Sequence, residues 1–170
     1  DFRRVGELSA ELAAELKVRQ DNPEAPRMPI YLLVLGLERL RALRNDDEFG
    51  YSSDGGSDTP AKQFTSVLTD GPAEGIHAIV WCDTLTNLNR TLSRKTLREF
   101  ESRALFQMSA TDSNELIELP AANRLGLYNA LLYISGSGGV EKFRPYGLPD
   151  VATLTELCAA VAKTSRGEVQ

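Results

Sequence analysis

The feature that most constrains this chain is a continuous apolar run, Ile30-Tyr31-Leu32-Leu33-Val34-Leu35, set between Pro29 and Gly36. An amphipathic helix would break such a run with polar residues at every turn, and a half-exposed strand would alternate. A strand buried on both faces does neither, and strands of that kind typify α/β sheets. A second run, Ile76 to Cys82, reads the same way, and Ala104-Leu105-Phe106-Gln107-Met108 reads as a third strand.

Helical patterns fall between these runs. Val5, Leu8, Leu12 and Leu16 recur at helical spacing over residues 4 to 18. Asp21 to Pro29 breaks the pattern with Pro23, Pro26 and Pro29 and reads as a linker. A short helix is expected over Leu37 to Arg44. A mobile surface loop rich in Asp, Gly and Ser follows over residues 45–60. Ala61 to Thr69 carries Phe64, Val67 and Leu68 on one side, and Gly71, Pro72 and Gly75 end it. Leu92 to Phe100 reads as a basic helix capped by Ser93. Asp112-Ser113-Asn114-Glu115 has the form of a capping box. Ala130 to Ile134 and Val140 to Phe143 form a hairpin pattern across the Gly-rich turn at 136–139. In the last helix, Val151 to Lys163, an inward stripe of Val151, Leu154, Leu157, Cys158 and Val161 is expected. Strands alternating with helices imply a mostly parallel sheet covered on both faces.

Composition narrows the function classes. Apolar residues at 42% and charged residues at 25% are the balance of an ordinary globular domain. No apolar run approaches the roughly 20 residues of a membrane span, so no membrane insertion by this segment is expected, and a cytoplasmic setting is, with attachment at the inner face of the membrane left to other parts of a parent protein. A net charge of -5 argues against a surface-wide nucleic-acid footprint but not against a local basic patch. Cys82 and Cys158 lack metal-ligand spacing and read as buried, reduced thiols, and with His77 the single histidine, a zinc site is not expected. Asp1 rather than Met stands first, which reads as a fragment.

From Gly75 onward the sequence resembles a known family. Gly75-Ile76-His77-Ala78-Ile79-Val80-Trp81-Cys82-Asp83 looks like a GIH-hydrophobic strand ending in a polar sensor residue. Arg103-Ala104-Leu105-Phe106-Gln107-Met108-Ser109, followed by Asp112-Ser113, is similar to an R-hydrophobic-F-R-V-S…D-S segment. Leu125-Gly126-Leu127-Tyr128-Asn129-Ala130-Leu131-Leu132-Tyr133 resembles LLG-x-GDMLY. These segments, in this order, resemble the motor domain of the FtsK/SpoIIIE-type DNA translocases over roughly residues 30 to 146. The resemblance implies an α/β, three-layer, mostly parallel sheet of the RecA-like P-loop type, here incomplete and ending in a hairpin. It divides the chain into residues 1–29, a helix and linker, and residues 30–170, the C-terminal half of the motor domain.

The departures from the family pattern bear on chemistry. The P-loop G-x-x-x-x-G-K-[ST] is absent, and Gly-Lys occurs nowhere in the chain. The family's Walker B strand ends in Asp-Glu, whereas Leu35 and Gly36 stand at those positions here. Leucine cannot hold a hard cation, which takes oxygen ligands. Glu38 is either a displaced acid or, as the favoured reading, a solvated helix residue. Asp83 replaces the usual sensor Gln, and Gln107 replaces the second Arg of its strand. Phosphoryl transfer needs a phosphate cradle, a magnesium anchor and oriented water, so ATP and magnesium are expected only for a parent protein, and the fragment alone is expected to be inactive. With the P-loop strand missing between the sensor strand and the strand at 103–108, three outcomes are expected. The sheet closes up, a second chain fills the gap, or a part is missing. Exposed strand edges make self-association plausible.

The resemblance assigns Asp83 and Arg103 to a nucleotide, with Arg103 equally readable as a structural ion pair. Arg90, Arg94 and Arg98 recur every four residues, which puts them on one helix face with Lys95 beside it and makes them the candidate DNA contacts. Their alternative is a solvated face balanced by Glu99 and Glu101. Asp112 is expected as an N-cap, His77 as a hydrogen-bonded core histidine and Trp81 as core. Tyr128, Tyr133 and Tyr146 are expected to pack rather than to stack on bases. The function implied is part of an ATP-dependent DNA translocase with a degenerate site, serving DNA segregation or cell division. The alternatives are a non-enzymatic motor-fold scaffold for protein assembly and part of a protein-secretion ATPase.

Overall fold

The computed structural model describes residues 4–44, 59–136 and 139–165. The chain divides into two compact units, Asp1–Glu101 and Ser102–Gln170. The division therefore falls well beyond the proline-rich linker. The expected loop at 45–60 lies almost wholly outside the described residues.

The first unit opens with helix α1 (Val5–Asp21), which leads through the linker to strand β1 (Ile30–Leu35). The expected helix over Leu37 to Arg44 is instead two short 3-10 turns, Leu37–Arg39 and Arg41–Leu43. Helix α2 (Pro60–Asp70) starts where Thr59 Oγ1 accepts from the amide of Lys62 and Pro60 supplies a pre-set φ. Strand β2 (Ile76–Trp81) follows, then α3 (Leu85–Thr91) and α4 (Arg94–Arg98). Strands β1 and β2 pair in parallel, with Ile30 opposite Ile76 and Leu35 opposite Trp81.

Parallel pairing sets one face of this small sheet against α1 and α2. Val34 packs with Phe64, Leu68, Leu37, Leu43 and Leu92, and Ile76 packs with Leu16 and Val67. Burying a side chain such as Phe64 or Leu68 contributes about 2 kcal/mol each. The opposite face is bare. Tyr31, Leu33 and Leu35 are 61%, 62% and 75% exposed, and Ile79 and Trp81 are 59% and 49% exposed. Within the first unit the strands are thus buried on one face, not on both as expected, because α1 and α2 lie on the same side and no other described element of this unit covers the second face. His77 and Trp81 point to that bare face, which corrects their reading as core residues. His77 stacks on Tyr31, with ring centroids 5.5 Å apart.

The second unit contains β3 (Ser102–Leu105), α5 (Ala110–Ile117), β4 (Ala130–Ile134), β5 (Val140–Phe143) and α6 (Val151–Ser165). The hairpin forms with its expected boundaries, Ala130 opposite Phe143, and β3 adds antiparallel to β4. The expected mostly parallel sheet is therefore two sheets, a parallel pair and an antiparallel β3-β4-β5. Among the described residues, β2 lies at an edge of the first sheet and β3 at an edge of the second.

Leu105, Ile117, Ala122, Leu125 and Leu131 form the second core. Ser113 is fully buried within this unit, where its hydroxyl donates to the carbonyl of Leu119 and accepts from the amide of Ala122, 3.1 Å away. The cap of α5 is Ser109, whose Oγ accepts from the amide of Asp112 at 3.0 Å. Asp112 lies in the first turn rather than at the cap, since the helix begins before the expected capping box.

The expected inward stripe of α6 is exposed. Val151 and Val161 are 81% and 66% accessible, and Leu154, Leu157 and Cys158 are exposed with them. Cys158 is therefore not the buried thiol expected. Within this unit, the described core cluster includes no residue of α6.

Candidate functional site

The C-terminal ends of β1 and β2 lie side by side, and ligands of open parallel α/β sheets bind outside such strand ends. Beyond β1 the chain turns sharply at Gly36, whose φ of 81° is left-handed. That turn folds Glu38 back under the strand end. The Glu38 side chain is 15% exposed, which corrects its reading as a solvated residue. Its Oε2 is buried without a hydrogen-bond partner, and its Oε1 lies 3.5 Å from Arg39 Nε. Leu35 points to the bare face, and neither it nor Gly36 carries a carboxylate.

Beyond β2 stand Cys82 and Asp83. The Glu38 carboxylate, the Cys82 thiol and the Asp83 carboxylate offer atoms that all lie within 4.8 Å of one another. Asp83 is exposed and held in place by two donors. Asn87 Nδ2 donates to Asp83 Oδ1 at 2.9 Å, and Thr84 Oγ1 donates to the same oxygen at 3.2 Å. The Asn87 carboxamide holds the Asp83 carboxyl below the usual carboxylate range, with Thr84 assisting. Burial pushes the Cys82 thiol up, a backbone hydrogen bond from Thr84 opposes it, and the charges of Asp83 and Glu38 push it further. A thiol kept protonated in this way is a poor nucleophile and a poor ligand. Two carboxylates fit a hard cation that also binds substrate phosphates, a role in which magnesium is commonly held by one or two carboxylates. The thiol does not fit that ion.

Arg90 lies in α3, and Arg94 and Arg98 lie in α4. The three do not share one helix, because the chain leaves helical geometry at Leu92 and Ser93. Ser93 Oγ then accepts from the amide of Thr96 at 3.1 Å and opens α4, as expected of a cap. All three arginines are exposed. Arg90 Nη1 donates to Asn87 Oδ1 at 3.2 Å, which ties it to the acidic cluster. Arg94 and Arg98 keep the helical spacing that puts them on one face of α4.

Arg103 belongs to the second unit. Its Nη1 donates to the carbonyl of Leu116 in the last turn of α5, and its guanidinium lies 5.5 Å from the Tyr133 ring centroid. A cation at a helix C-terminus and over an aromatic face is stabilising on both counts. Tyr133 thus packs within its unit. Tyr128 and Tyr146 are 74% and 102% exposed, with Arg144 over the Tyr128 ring at 5.8 Å.

Among the residues that sequence reasoning passed over, Asn87 is the most informative. Asp83, Asn87 and Arg90 follow at intervals of four and three, the spacing of one helix face. Among the described residues, no helix is long and apolar enough to cross a membrane.

No protein-family model matches the chain, and no curated protein matches it in sequence. Two solved structures are similar in fold. A bacterial conjugative coupling protein, TrwBdeltaN70 in an unbound monoclinic form, matches with a TM-score of 0.54 at 15% identity, over 82% of this chain and 37% of that one. The cytoplasmic domain of the Thermomonospora curvata type VII secretion ATPase EccC matches with a TM-score of 0.47 at 18% identity, over 78% of this chain and 14% of that one. This chain therefore spans well under half the length of either. At 15% identity the likeness to the coupling protein is one of fold alone, and it agrees with the mixed α/β architecture described above.

Proposed function

We propose that this chain is part of an ATP-driven motor of the FtsK/SpoIIIE kind, with a degenerate nucleotide site at the C-terminal ends of β1 and β2. The observation that carries the reading is the meeting of Glu38 and Asp83 at adjacent ends of two parallel strands, within 4.8 Å of one another and of Cys82. In the whole protein, ATP and magnesium would face these two carboxylates. The ion would neutralise charge on the transferring phosphate, while Glu38 and Asp83 hold and orient it. The phosphate cradle would come from a P-loop outside these residues.

The site is degenerate in this reading because Leu35 and Gly36 carry no carboxylate, and because Glu38 reaches the site only by a turn. The substrate that follows from the resemblance is DNA, with Arg90, Arg94 and Arg98 as the surface that meets its phosphates. The experiment is a calorimetric titration of the full-length protein with ATP and magnesium, repeated with Glu38→Gln and Asp83→Asn. The expected result is measurable binding that both substitutions weaken by about tenfold or more, with slow turnover. Affinity unchanged by either substitution would remove these residues from the site.

A second reading, a non-enzymatic scaffold for protein assembly, is favoured by the apolar face of Tyr31, Leu33, Leu35, Ile79 and Trp81, since large exposed apolar patches mark interaction surfaces. It predicts no nucleotide binding by the full-length protein. Micromolar affinity in the same titration would count against it.

A further inference from the structure

The bare face of the first unit's sheet carries an inference about its partner. It deepens the second reading, which gives this face to protein assembly, and it needs no nucleotide site. The parallel register sets Tyr31 beside His77, Leu33 beside Ile79 and Leu35 beside Trp81. All of these side chains are exposed, and the Tyr31 and His77 rings stack with centroids 5.5 Å apart. No acid, lysine or arginine stands among them. A parallel sheet is ordinarily covered on both faces, and apolar surface of this extent is unfavourable in water. We propose that this face is an interface between two copies of the chain, packed sheet on sheet about a two-fold axis that passes by Leu33 and Ile79.

Charge and area favour a second copy over other partners. Nucleic acid or an acidic peptide would find no lysine or arginine among these side chains, and a basic peptide would find no carboxylate. An identical face matches them in chemistry, and a two-fold axis lets one patch serve both sides. With the strands of the two copies antiparallel across the interface, Tyr31 and His77 of one sheet lie over Leu35 and Trp81 of the other. Leu33 and Ile79 then meet their own counterparts. Sheets pack in this way about 10 Å apart with interleaved side chains. Tyr31, Leu33, Leu35, Ile79 and Trp81 are 49% to 75% exposed. With large side chains offering roughly 150–250 Å² each, the face supplies about 600 Å² per copy and about 1,200 Å² in all, the lower end of what stable interfaces bury. Association in the micromolar range follows, since such an area leaves little surplus over the cost of bringing two chains together. Each copy carries a net charge of -5, so like charges oppose assembly and salt, which screens them, favours it. Pairing through the strand edges of β1 or β2 would instead leave the face wet.

The test is analytical ultracentrifugation of the 170-residue chain in reducing buffer, from hundreds of micromolar down to sub-micromolar. Trp81 is the single tryptophan, so its fluorescence reports on the face directly. The expected result is a transition between one copy and two, with Trp81 emission moving to shorter wavelength as the dimer forms. Added salt moves the transition to lower concentration. Leu33→Lys and Ile79→Lys each set a charge at the centre of the contact and weaken association about tenfold or more. Both positions are exposed in the single copy, so each variant keeps the circular dichroism of the unsubstituted chain, and either one serves if the other misfolds. A monomer at every concentration overturns the proposal. If its Trp81 emission is that of a covered indole, the chain covers the face itself. A dimer that survives the substitutions, or that forms without moving Trp81, also overturns it and points to the strand edges. None of these readouts uses a nucleotide. Binding of ATP would sink the scaffold reading and leave the dimer standing, whereas a monomer that binds no ATP would sink the dimer and leave the scaffold reading with another partner.

Discussion

The guanidinium of Arg19, 8% exposed, donates through Nη1 to the carbonyl of Glu74 at 2.9 Å, 55 residues further along the first unit. The same group donates through Nη2 to the carbonyl of Met28 and through Nε to the carboxylate of Glu15. One side chain thus ties α1 to the linker before β1 and to the turn before β2. The neighbouring Arg27 pairs with the Glu74 carboxylate and seals the same corner.

Arg19→Ala is expected to destabilise the first unit by about 3 kcal/mol, since it leaves two carbonyls and a carboxylate without their donor. Urea denaturation followed by circular dichroism measures this. A loss below about 1 kcal/mol would show that the corner holds without it.

Gly36→Ala tests the turn that brings Glu38 to the site. The φ of 81° is strained for any L side chain, and an added Cβ would lie 3.1 Å from Glu38 Oε1. A cost of about 1–2 kcal/mol is expected, together with displaced carboxylate signals for Glu38 and Asp83 in NMR spectra. Unmoved signals would mean that the turn does not place the acid.

The Cys82 thiol should ionise above its ordinary value, chiefly through burial and then through the charges of Asp83 and Glu38. Glu38→Gln removes one of those charges. The pH at which Cys82 reacts with iodoacetamide should therefore move down, and Cys158, which is exposed, should react first in both proteins. The raised folded value also carries a sign for stability. The contribution of Cys82 is fully present below the unfolded thiol pKa and declines as pH rises toward the folded one. An identical pH profile in Glu38→Gln would separate the two groups.

Ser113→Ala should cost the second unit about 2 kcal/mol. It strands the buried amide of Ala122 and removes the donor to Leu119, while adding no clash. Hydrogen exchange at the Ala122 amide gives a local check, with faster exchange expected.

Elements were legible wherever local chemistry decides them. The runs at Ile30 and Ile76, the hairpin of Ala130 and Val140, the Ser93 cap and the helix around Phe64 all formed as read, because periodicity and capping are set within a few residues. The missed boundaries were also local. Ser109 took the cap that Asp112-Ser113-Asn114-Glu115 suggested, and the chain broke at Leu92 and Ser93 between Arg90 and Arg94.

Burial and assembly of the site were decided elsewhere. An apolar run is the same whether helices cover one face of its sheet or both, so the bare side of Tyr31, Leu33 and Trp81 depended on where α1 and α2 packed. The stripe of α6 likewise states an amphipathic helix without supplying the surface to cover it. Glu38 illustrates the point most directly. Aligned by position, it stands beyond the strand end and reads as solvated. Only the left-handed turn at Gly36 and the parallel pairing of β1 with β2 carry its carboxylate to Asp83, because proximity between residues so far apart in sequence is a property of the packed fold. What the sequence by itself determined was most of the strand and helix inventory, because periodicity and capping act within a few residues. The tertiary structure alone decided which strands pair, which faces stay bare and which acids meet.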